Sequence, residues 1–310
     1  MSLEKQHFLQ SLHWKKFQNS LGKKTIQRSE KDWSYLAIIE GSKSLRRLYC
    51  PYGPTVASQD SLKSALSSLK SDARKLGVHV VRLQPNGVRI DKSTADSLKL
   101  IPVDYSQPTV TWRLDLSPTL EDMHANMKQN TRNICRNYHK KGMSYRSSSS
   151  PKDIGILTNL LAGVASHNNI TVHSHDYLEA QAKSLLLDKS CMLHFIYFDN
   201  QPIAAALTYM SDETVYYAHA AADYEHRKLG ASTALLGEII KWAKNNGYKT
   251  FDFYGIAPTD DPSHPQAGFT RFKKSFGGYE HRYNQTFELV MSPARYQLYS
   301  AARKLYRKLR

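Results

Sequence analysis

The chain has 310 residues, in which 43 lysines and arginines outnumber 27 aspartates and glutamates and give a formal net charge of +16. The length predicts two domains. A hydrophobic fraction of 41%, with 4 Trp, 19 Tyr and 10 Phe, excludes an intrinsically disordered chain. No apolar run is long enough for a transmembrane helix, and the first residues lack the apolar segment that a secretory signal requires.

The cysteines and the charge restrict the class of protein further. Cys50, Cys135 and Cys191 lie far apart and form no CxxC pair, which disfavours a disulfide framework or a zinc finger and predicts a protein of the reducing cytoplasm. The positive charge indicates partners rather than fold. It is typical of proteins that contact nucleic acid, an anionic membrane or a nucleotide-linked substrate, and also of basic proteins that bind no polyanion.

The first part of the chain predicts strands and helices in mixed order. Apolar and β-branched runs predict strands over 34–40, 44–50, 78–83 and 110–116. Apolar residues at helical spacing predict a helix over 61–76.

Residues 120–142 are predicted to form one amphipathic, basic helix that ends at Gly142. No acidic residue occurs over 123–152. Side chains four residues apart share a helix face, and four basic residues have this spacing: Lys128, Arg132, Arg136 and Lys140. They are candidate phosphate contacts, or else an ordinary solvated and ion-paired helix face.

A serine run, SSSSP over 147–151, predicts a flexible connection and a domain boundary. The chain beyond it predicts helices over 150–167, 177–187 and 229–245 and strands over 192–199, 201–211, 214–222, 250–254 and 283–291. Both parts therefore predict an α/β (α+β) fold with mixed sheets. The chain ends in a basic helix that either contacts anionic lipid or phosphates or is simply solvated, with Arg303, Lys304, Arg307, Lys308 and Arg310.

Two segments have the composition of functional sites. Arg227-x-x-Gly230-x-Ser232 lies at a strand-to-helix turn and resembles the pyrophosphate loop of GNAT acetyltransferases, although it is also compatible with an ordinary helix start. Lys273 lies between Phe272 and Lys274, where it either stabilises a developing negative charge away from water or extends over buried rings to reach solvent. Three nearby histidines predict a polar loop rather than a metal site: His167, His173 and His175.

Several segments in series resemble the FemABX family of peptidoglycan interpeptide-bridge aminoacyltransferases, in its minimal, FemX-like form without the helical arm. They are HFLQSLHWKKFQNSLG (7–22), PYGP (51–54), MKQNTRNICRNYHKKG (127–142), TVYYAHAAADYEHR (214–227), FDFYGI (251–256) and GFTRFKKSFGG (268–278). The resemblance implies two GNAT-like domains, which we place at 1–147 plus 283–310 and at 148–282, with the C-terminal helix returning to the first.

The resemblance also implies an activity, which is transfer of an amino acid from aminoacyl-tRNA to a stem-peptide amine of UDP-MurNAc-pentapeptide or lipid II. The catalytic Phe-Lys pair of the family falls on Phe272 and Lys273. The matching segments supply the candidate substrate-binding residues Tyr217, His219, Arg227 and Tyr254, and the basic helix supplies the tRNA contacts. No metal and no cofactor are expected, because aminoacyl-tRNA is a co-substrate.

The expected protein is a cytoplasmic monomer, in peripheral contact with the inner face of the membrane through its basic C-terminus. Two other functions stay open on the sequence alone. An acetyl-CoA-dependent N-acetyltransferase would use the loop that begins at Arg227, and a non-catalytic RNA-binding protein would use only the basic surface.

Overall fold

The computed structural model describes residues 6–42, 46–104, 107–168 and 172–308 and contains ten α-helices and fourteen strands within these ranges. The helices are α1 (Leu12–Ser20), α2 (Gln59–Lys75), α3 (Lys92–Ser97), α4 (Leu120–Ala125), α5 (Gln129–Asn137), α6 (Ile154–Asn168), α7 (His175–Leu185), α8 (Ala231–Asn245), α9 (Ala267–Lys274) and α10 (Pro293–Lys308). The strands are β1 (Thr25–Ser29), β2 (Trp33–Glu40), β3 (Arg47–Cys50), β4 (Thr55–Val56), β5 (Val80–Leu83), β6 (Leu100–Val103), β7 (Val110–Asp115), β8 (Met143–Ser148), β9 (Cys191–Phe198), β10 (Gln201–Met210), β11 (Thr214–Ala222), β12 (Thr250–Gly255), β13 (Tyr279–Arg282) and β14 (Thr286–Val290).

Met1–Thr109 and Tyr283–Arg310 form the first of two compact units. Its sheet has the order β1-β2-β3-β5-β14-β6, with β4 paired to β2, and the β3–β5 pair is parallel while the other pairs are antiparallel. Helix α2 begins with a reciprocal capping box between Ser58 and Ser61 and buries an apolar stripe that includes Leu62, Leu66 and Leu69.

The C-terminal segment completes the first sheet, because β14 lies between β5 and β6. Its Glu288 is buried and forms an ion pair with the buried Arg82. The hydroxyl of Tyr296, in the first turns of α10, donates to the other oxygen of the same carboxylate at 2.8 Å. A buried carboxylate is stable only when it is paired and hydrogen-bonded, so these partners fix the start of α10 to the sheet.

Val110–Arg282 form the second unit, which contains every predicted catalytic, substrate-binding and tRNA-binding residue. Its sheet has the order β13-β7-β12-β11-β10-β9-β8, and here the β11–β12 pair is parallel. Helix α8 packs on one face through a core that includes Leu235, Ile239 and Phe251, whereas Gln181 of α7 contacts Tyr209 on the other face. The predicted α/β class with mixed sheets is confirmed by both units.

The observed boundary between the units lies at 109/110 rather than at 147. Residues 110–147 belong to the second unit because β7 pairs with β12 and β13, and β8 pairs with β9. The serine run is therefore not a linker. Ser147 and Ser148 lie in β8, and the Ser148 hydroxyl donates to Asp153 at 2.5 Å.

The predicted basic helix over 120–142 is divided into α4, α5 and a 3₁₀ turn at Tyr138–Lys141. The break between α4 and α5 has a tertiary cause, because the backbone N–H of Lys128 donates to the carbonyl of Ser275 at 2.9 Å instead of continuing the helix. Gly142 ends the segment in the left-handed conformation with φ +80°, as its predicted role requires. The predicted strand over 283–291 is also shorter and is observed as β14.

The structure does not describe the side chains of the basic residues from Arg303 to Lys308, nor any part of Arg310. The predicted contact of these residues with lipid therefore stays a prediction. Among the residues that the structure does describe, no helix has the combination of length and apolar composition that crossing a bilayer requires.

Gly278 joins α9 to β13 and gives a stability prediction. It has φ +100°, and a Cβ atom there would lie 2.2 Å from the backbone oxygen of Arg113 on β7. Gly247 is the matched control, because it has φ +84° but open space around it. Alanine at Gly247 should cost only the left-handed strain of about 1–2 kcal/mol. Alanine at Gly278 should lower the urea midpoint much further, and equal midpoints would contradict the predicted backbone clash.

Candidate active site

The site is built where β11 and β12 separate. The two strands pair in parallel only as far as Tyr216 and Asp252. Directly afterwards each strand contains one extra residue: β11 bulges at Ala218 relative to β10, and β12 bulges between Asp252 and Gly255 relative to β7. Bulges bend a strand and redirect its side chains. Pairing between the two neighbouring strands therefore stops in the middle of the sheet, and we call the unpaired stretch beyond Tyr216 and Asp252 the opening.

Asp252 holds the bulge of β12 in place. One carboxylate oxygen accepts from the backbone N–H of Tyr254 at 2.8 Å, and the other accepts from Arg113 Nε at 2.9 Å and from the Thr111 hydroxyl at 3.2 Å. Tyr254 has φ +66°, which costs a non-glycine residue about 1–2 kcal/mol. The bonds from Asp252, which is 1% exposed, offset this strain and fix the backbone that carries Gly255.

Lys273 reaches this backbone from α9. Its Nζ donates to the Gly255 carbonyl at 2.6 Å. The N–H of the next residue, Ile256, donates to the Val110 carbonyl on β7. Because this N–H and the Gly255 carbonyl belong to one peptide group and point in opposite directions, the carbonyl points away from β7, towards the opening beside β11. Helix α9 is anchored there because the Thr270 hydroxyl accepts from the Ala257 N–H at 2.9 Å. The amine thus lies at the edge of the opening.

Burial around the amine lowers the pKa of Lys273 to about 8, and the nearby charge of Asp252 works in the opposite direction. At neutral pH the side chain is still mostly an ammonium ion. Phe272 and Phe276, whose rings meet edge to face with centroids 5.5 Å apart, pack in the core beside it. A cation in such surroundings interacts with a nearby anion far more strongly than an exposed lysine does.

Lys274, the neighbouring residue, has different partners. Its Nζ lies 2.9 Å from a carboxylate oxygen of Asp260 and 5.2 Å from the centre of the Trp112 ring. The two consecutive lysines therefore diverge, and Lys273 is the one whose amine bonds to the β12 backbone.

Tyr217 and His219 of β11 face opposite sides of the sheet because of the bulge at Ala218. Tyr217 packs towards Phe251 and the core below α8, with ring centroids 6.4 Å apart. His219 faces α7 instead, where its Nε2 lies 3.0 Å from the Tyr209 hydroxyl. Burial lowers the pKa of His219 to about 3, so the imidazole is neutral.

Arg227, the remaining predicted substrate-binding residue, lies in the short 3₁₀ turn between β11 and α8. It is exposed, and its guanidinium stacks 4.2 Å from the centre of the Tyr224 ring. The structure thus brings Tyr254 and Lys273 together at the opening and places Tyr217 and His219 on the strand that flanks it. It shows no contact between Arg227 and these residues in the part of the chain that it describes.

The four basic residues predicted to contact tRNA lie along α5 and its flanking turns. Lys128, Arg136 and Lys140 are exposed and Arg132 is partly exposed. The guanidinium of Arg132 donates to the Ala125 carbonyl at 3.2 Å, and Arg136 Nε lies 3.4 Å from His124 Nδ1. Within the described residues none of the four forms an ion pair, so their charges are available to an external anion. The apolar side of α5 packs on α8, where Cys135 contacts Gly237.

The predicted histidine loop is partly described. His175 hydrogen-bonds to the Thr158 hydroxyl at 3.0 Å, and His173 stacks on Tyr177 with ring centroids 4.6 Å apart. The side chain of His167 lies outside the described residues. Across the described ranges no three His, Cys, Asp or Glu side chains are grouped closely enough to hold a metal ion.

The sequence interpretation missed Asp252, Arg113 and Tyr209. Asp252 carried a usable signal, because an acidic residue between two phenylalanines of a buried strand must have buried partners. The pairing of Arg113 with Asp252 and the position of Tyr209 depend on which strands lie side by side, so the sequence contained no signal for either residue.

Comparison with known proteins gives a family match over part of the chain and a shared fold over nearly all of it. Residues 178–304 match the model of the FemAB family. The crystal structure of FemX has a TM-score of 0.84 at 16% identity, covering 96% of this chain and 95% of that one. The C-terminal domain of a putative lysylphosphatidylglycerol synthetase from Agrobacterium fabrum has a TM-score of 0.61 at 14% identity, covering 94% and 92%.

A tandem GNAT protein from the clavulanic acid biosynthesis pathway has a TM-score of 0.53 at 11% identity, covering 86% of this chain and 82% of that one. A search of curated proteins gave no match. At these identities the structures establish the fold, and the similarity to the FemAB family is confined to residues 178–304. The match over residues 178–304 is therefore a similarity to the FemAB family over less than half of the chain, and the shared fold with FemX extends over nearly all of it.

Proposed function

We propose that this protein transfers an amino acid from aminoacyl-tRNA to the side-chain amine of a peptidoglycan-precursor stem peptide, either UDP-MurNAc-pentapeptide or lipid II, in the cytoplasm. Residues 178–304 match the FemAB family, and the segments that resemble the FemABX family imply the formation of peptidoglycan interpeptide bridges. The observation that carries the proposal is the Lys273 ammonium, held at 2.6 Å on the Gly255 carbonyl at the edge of the opening between β11 and β12.

The chemistry of such a transfer needs this kind of site. An aminoacyl ester is already activated, so the acceptor amine attacks the ester carbonyl directly and no enzyme nucleophile is required. Negative charge then develops on the carbonyl oxygen. A fixed donor at that oxygen contributes about 3–4 kcal/mol in characterised enzymes. Lys273 supplies a cation for this purpose, and the positioning of two large substrates supplies much of the remaining acceleration.

The cysteines do not support a covalent thioester route. Cys50 and Cys191 are buried, and burial raises the pKa of each thiol well above its usual range. Burial also raises the pKa of Cys135 to about 12. A thiol that stays protonated at neutral pH is a weak nucleophile, which favours direct attack by the amine.

The unpaired basic residues of α5 support tRNA as the carrier of the amino acid. RNA duplexes are bound chiefly through phosphates and shape, and exposed lysines and arginines on a rigid helix fit this mode. A protein that binds RNA without catalysis would share this surface, but it would transfer no label from aminoacyl-tRNA to a precursor.

Acetyl-CoA is the alternative acyl donor, favoured by one observation: Gly230, the N-cap residue of α8, has φ +79° and lies directly after the turn that holds Arg227. Free N–H groups at a helix start suit a pyrophosphate. Titration calorimetry with acetyl-CoA separates the two donors, and we expect no binding heat.

The first functional prediction compares the two consecutive lysines. Lys273→Ala should lower the turnover number about 100-fold or more, the scale of losing one oxyanion donor. Lys274→Ala should change turnover little, because its amine pairs with Asp260. The measurement is the rate of label transfer from aminoacyl-tRNA to precursor. Equal, small effects of both substitutions, with unchanged circular dichroism, would show that the segment is structural.

The second prediction concerns pH. Because the pKa of Lys273 is lowered to about 8, the catalytic cation is present below this pH and is lost above it. Turnover should therefore fall as the pH rises through about 8. The acceptor amine acts in the opposite direction, because a rise in pH deprotonates it and makes it a better nucleophile. Asp252→Asn removes a charge that raises the Lys273 pKa, so it should move this decline to lower pH.

Lys273→Arg is the control for the pH profile, because a guanidinium stays charged over this range. Its residual activity should lack the decline near pH 8. An unaltered decline in this variant would assign the titration to another group.

The third prediction tests the basic face. Arg132→Glu with Arg136→Glu should weaken tRNA binding and make log affinity depend less steeply on log salt, by about one unit of slope for each lost phosphate contact. Arg89→Glu with Lys92→Glu is the matched control, because it reverses the same number of exposed charges in the first unit. Equal slopes for both double variants would contradict a specific role for α5.

A further inference from the structure

A chain of hydrogen bonds leads from the interior of the second unit to the opening between β11 and β12. The side-chain amide of Gln181, on α7, donates to the Tyr209 hydroxyl at 2.7 Å. That hydroxyl in turn lies 3.0 Å from Nε2 of His219. Gln181 is 0% exposed and Tyr209 is 4% exposed, whereas His219 is partly exposed. This series of hydrogen bonds is thus buried at the Gln181 end and accessible at the His219 end.

His219 lies level with the Lys273 site along the sheet. The last parallel pair is Tyr216 of β11 with Asp252 of β12. His219 lies three residues after Tyr216, and Gly255 lies three residues after Asp252. Each of these two intervals includes one bulged residue, so the two strands advance by the same distance. Gly255 carries the carbonyl that binds Lys273. His219 on β11, and the Gly255 carbonyl on β12 with Lys273 bound to it, therefore border the opening at the same level. Without the bulge at Ala218, His219 would face α8 and would not reach Tyr209.

The direction of the hydrogen bonds along this series determines which nitrogen of His219 carries the proton. Burial raises the pKa of Tyr209 well above its usual range, so the hydroxyl keeps its single proton. With its oxygen accepting from Gln181, the hydroxyl has this proton to donate, and His219 Nε2 lies 3.0 Å away as an acceptor. A neutral imidazole carries one proton, which then lies on Nδ1. Within the described part of the chain, Nδ1 has no hydrogen-bond partner, and the nearest ring, that of His173, is perpendicular to it with centroids 5.3 Å apart.

We propose that the Nδ1–H of His219 is a second donor to the carbonyl oxygen of the acyl donor, acting beside Lys273, and that Tyr209 and Gln181 are positioning residues that hold it in this tautomer. The inference rests on the proposed function.

In the step concerned, the acceptor amine nitrogen attacks the ester carbon, a C–N bond forms and the carbonyl π pair moves to oxygen. The oxyanion accepts hydrogen bonds from Lys273 and His219, and both keep their protons. The pair then returns, the C–O bond to the ribose breaks, and the proton lost by the amine goes to the departing ribose oxygen. A neutral imidazole suits this place, because it adds a donor beside the ammonium without the repulsion between two cations.

Three substitutions of His219 test the donor. Alanine removes it, asparagine keeps an N–H close to the position of Nδ1, and glutamine keeps one only close to Nε2. His219→Ala should lower turnover about 100-fold, the scale of one oxyanion donor, with unchanged dissociation constants for aminoacyl-tRNA and precursor. His219→Asn should recover at least a tenth of the wild-type turnover, and His219→Gln should stay close to alanine.

The positioning residues are tested by a readout that needs no activity. Long-range ¹H–¹⁵N spectra of the imidazoles should show His219 as the Nδ1–H tautomer in the wild type. In Tyr209→Phe, which removes only the hydroxyl, this fixed preference should be lost and turnover should fall several-fold with an unchanged KM. If Gln181 instead presented its side-chain oxygen to Tyr209, the Tyr209 hydroxyl would donate to Gln181 and accept from His219 Nε2–H. The spectra would then show the Nε2–H tautomer, which would overturn the proposal.

The outcomes separate the two levels of inference. An active wild type with full turnover in His219→Ala, or equal rescue by asparagine and glutamine, would overturn the role of His219 and leave the proposed function standing. A wild type that transfers nothing from aminoacyl-tRNA would overturn both.

Discussion

The separation of β11 from β12 is the constraint on which the functional part of this protein depends. Two adjacent parallel strands lose their pairing at the same level because each contains one extra residue, at Ala218 in one and between Asp252 and Gly255 in the other. A continuous sheet would bury the Gly255 carbonyl in its ladder and leave no place for a substrate. The bulges instead leave that carbonyl to Lys273. The strain of this arrangement is offset by the buried carboxylate of Asp252, which therefore supports the site without belonging to its predicted chemistry.

The division of the chain gives the two units unequal roles. Each unit contains a seven-stranded mixed sheet with a parallel pair among antiparallel ones. In the second unit the parallel pair opens and carries the candidate site. In the first unit the corresponding pair, β3 with β5, stays in register over four residues, and the C-terminal strand and helix complete the sheet through the buried Glu288. Both sheets therefore place one parallel pair among antiparallel pairs, and the bulges that open the parallel pair are what mark the second unit as the candidate catalytic one.

Elements with strong local patterns were predictable from the sequence, and features set by distant contacts were not. Helices α2 and α8 and strands β10 and β11 follow their apolar periodicity to within two residues. The break before α5 depends on a bond from Lys128 to Ser275, which no local pattern reveals. The serine run gave a false boundary because β8 is an edge strand that, among the strands that the structure describes, pairs only with β9, so it tolerates the polar composition of a linker. Lys273 was identified through a motif, whereas the partners that position it, such as Asp252, follow from the strand register.

Acyl transfer from aminoacyl-tRNA is the central claim, and a single-turnover experiment tests it most directly. Purified protein is mixed with tRNA charged with a radiolabelled amino acid and with UDP-MurNAc-pentapeptide or lipid II, and the label is followed on both. The account predicts that label leaves the tRNA and appears on one of the precursors in equal amount, through an amide bond that survives mild alkali. Label that remains on the tRNA with both precursors, while the same protein acetylates an amine from acetyl-CoA, would contradict it.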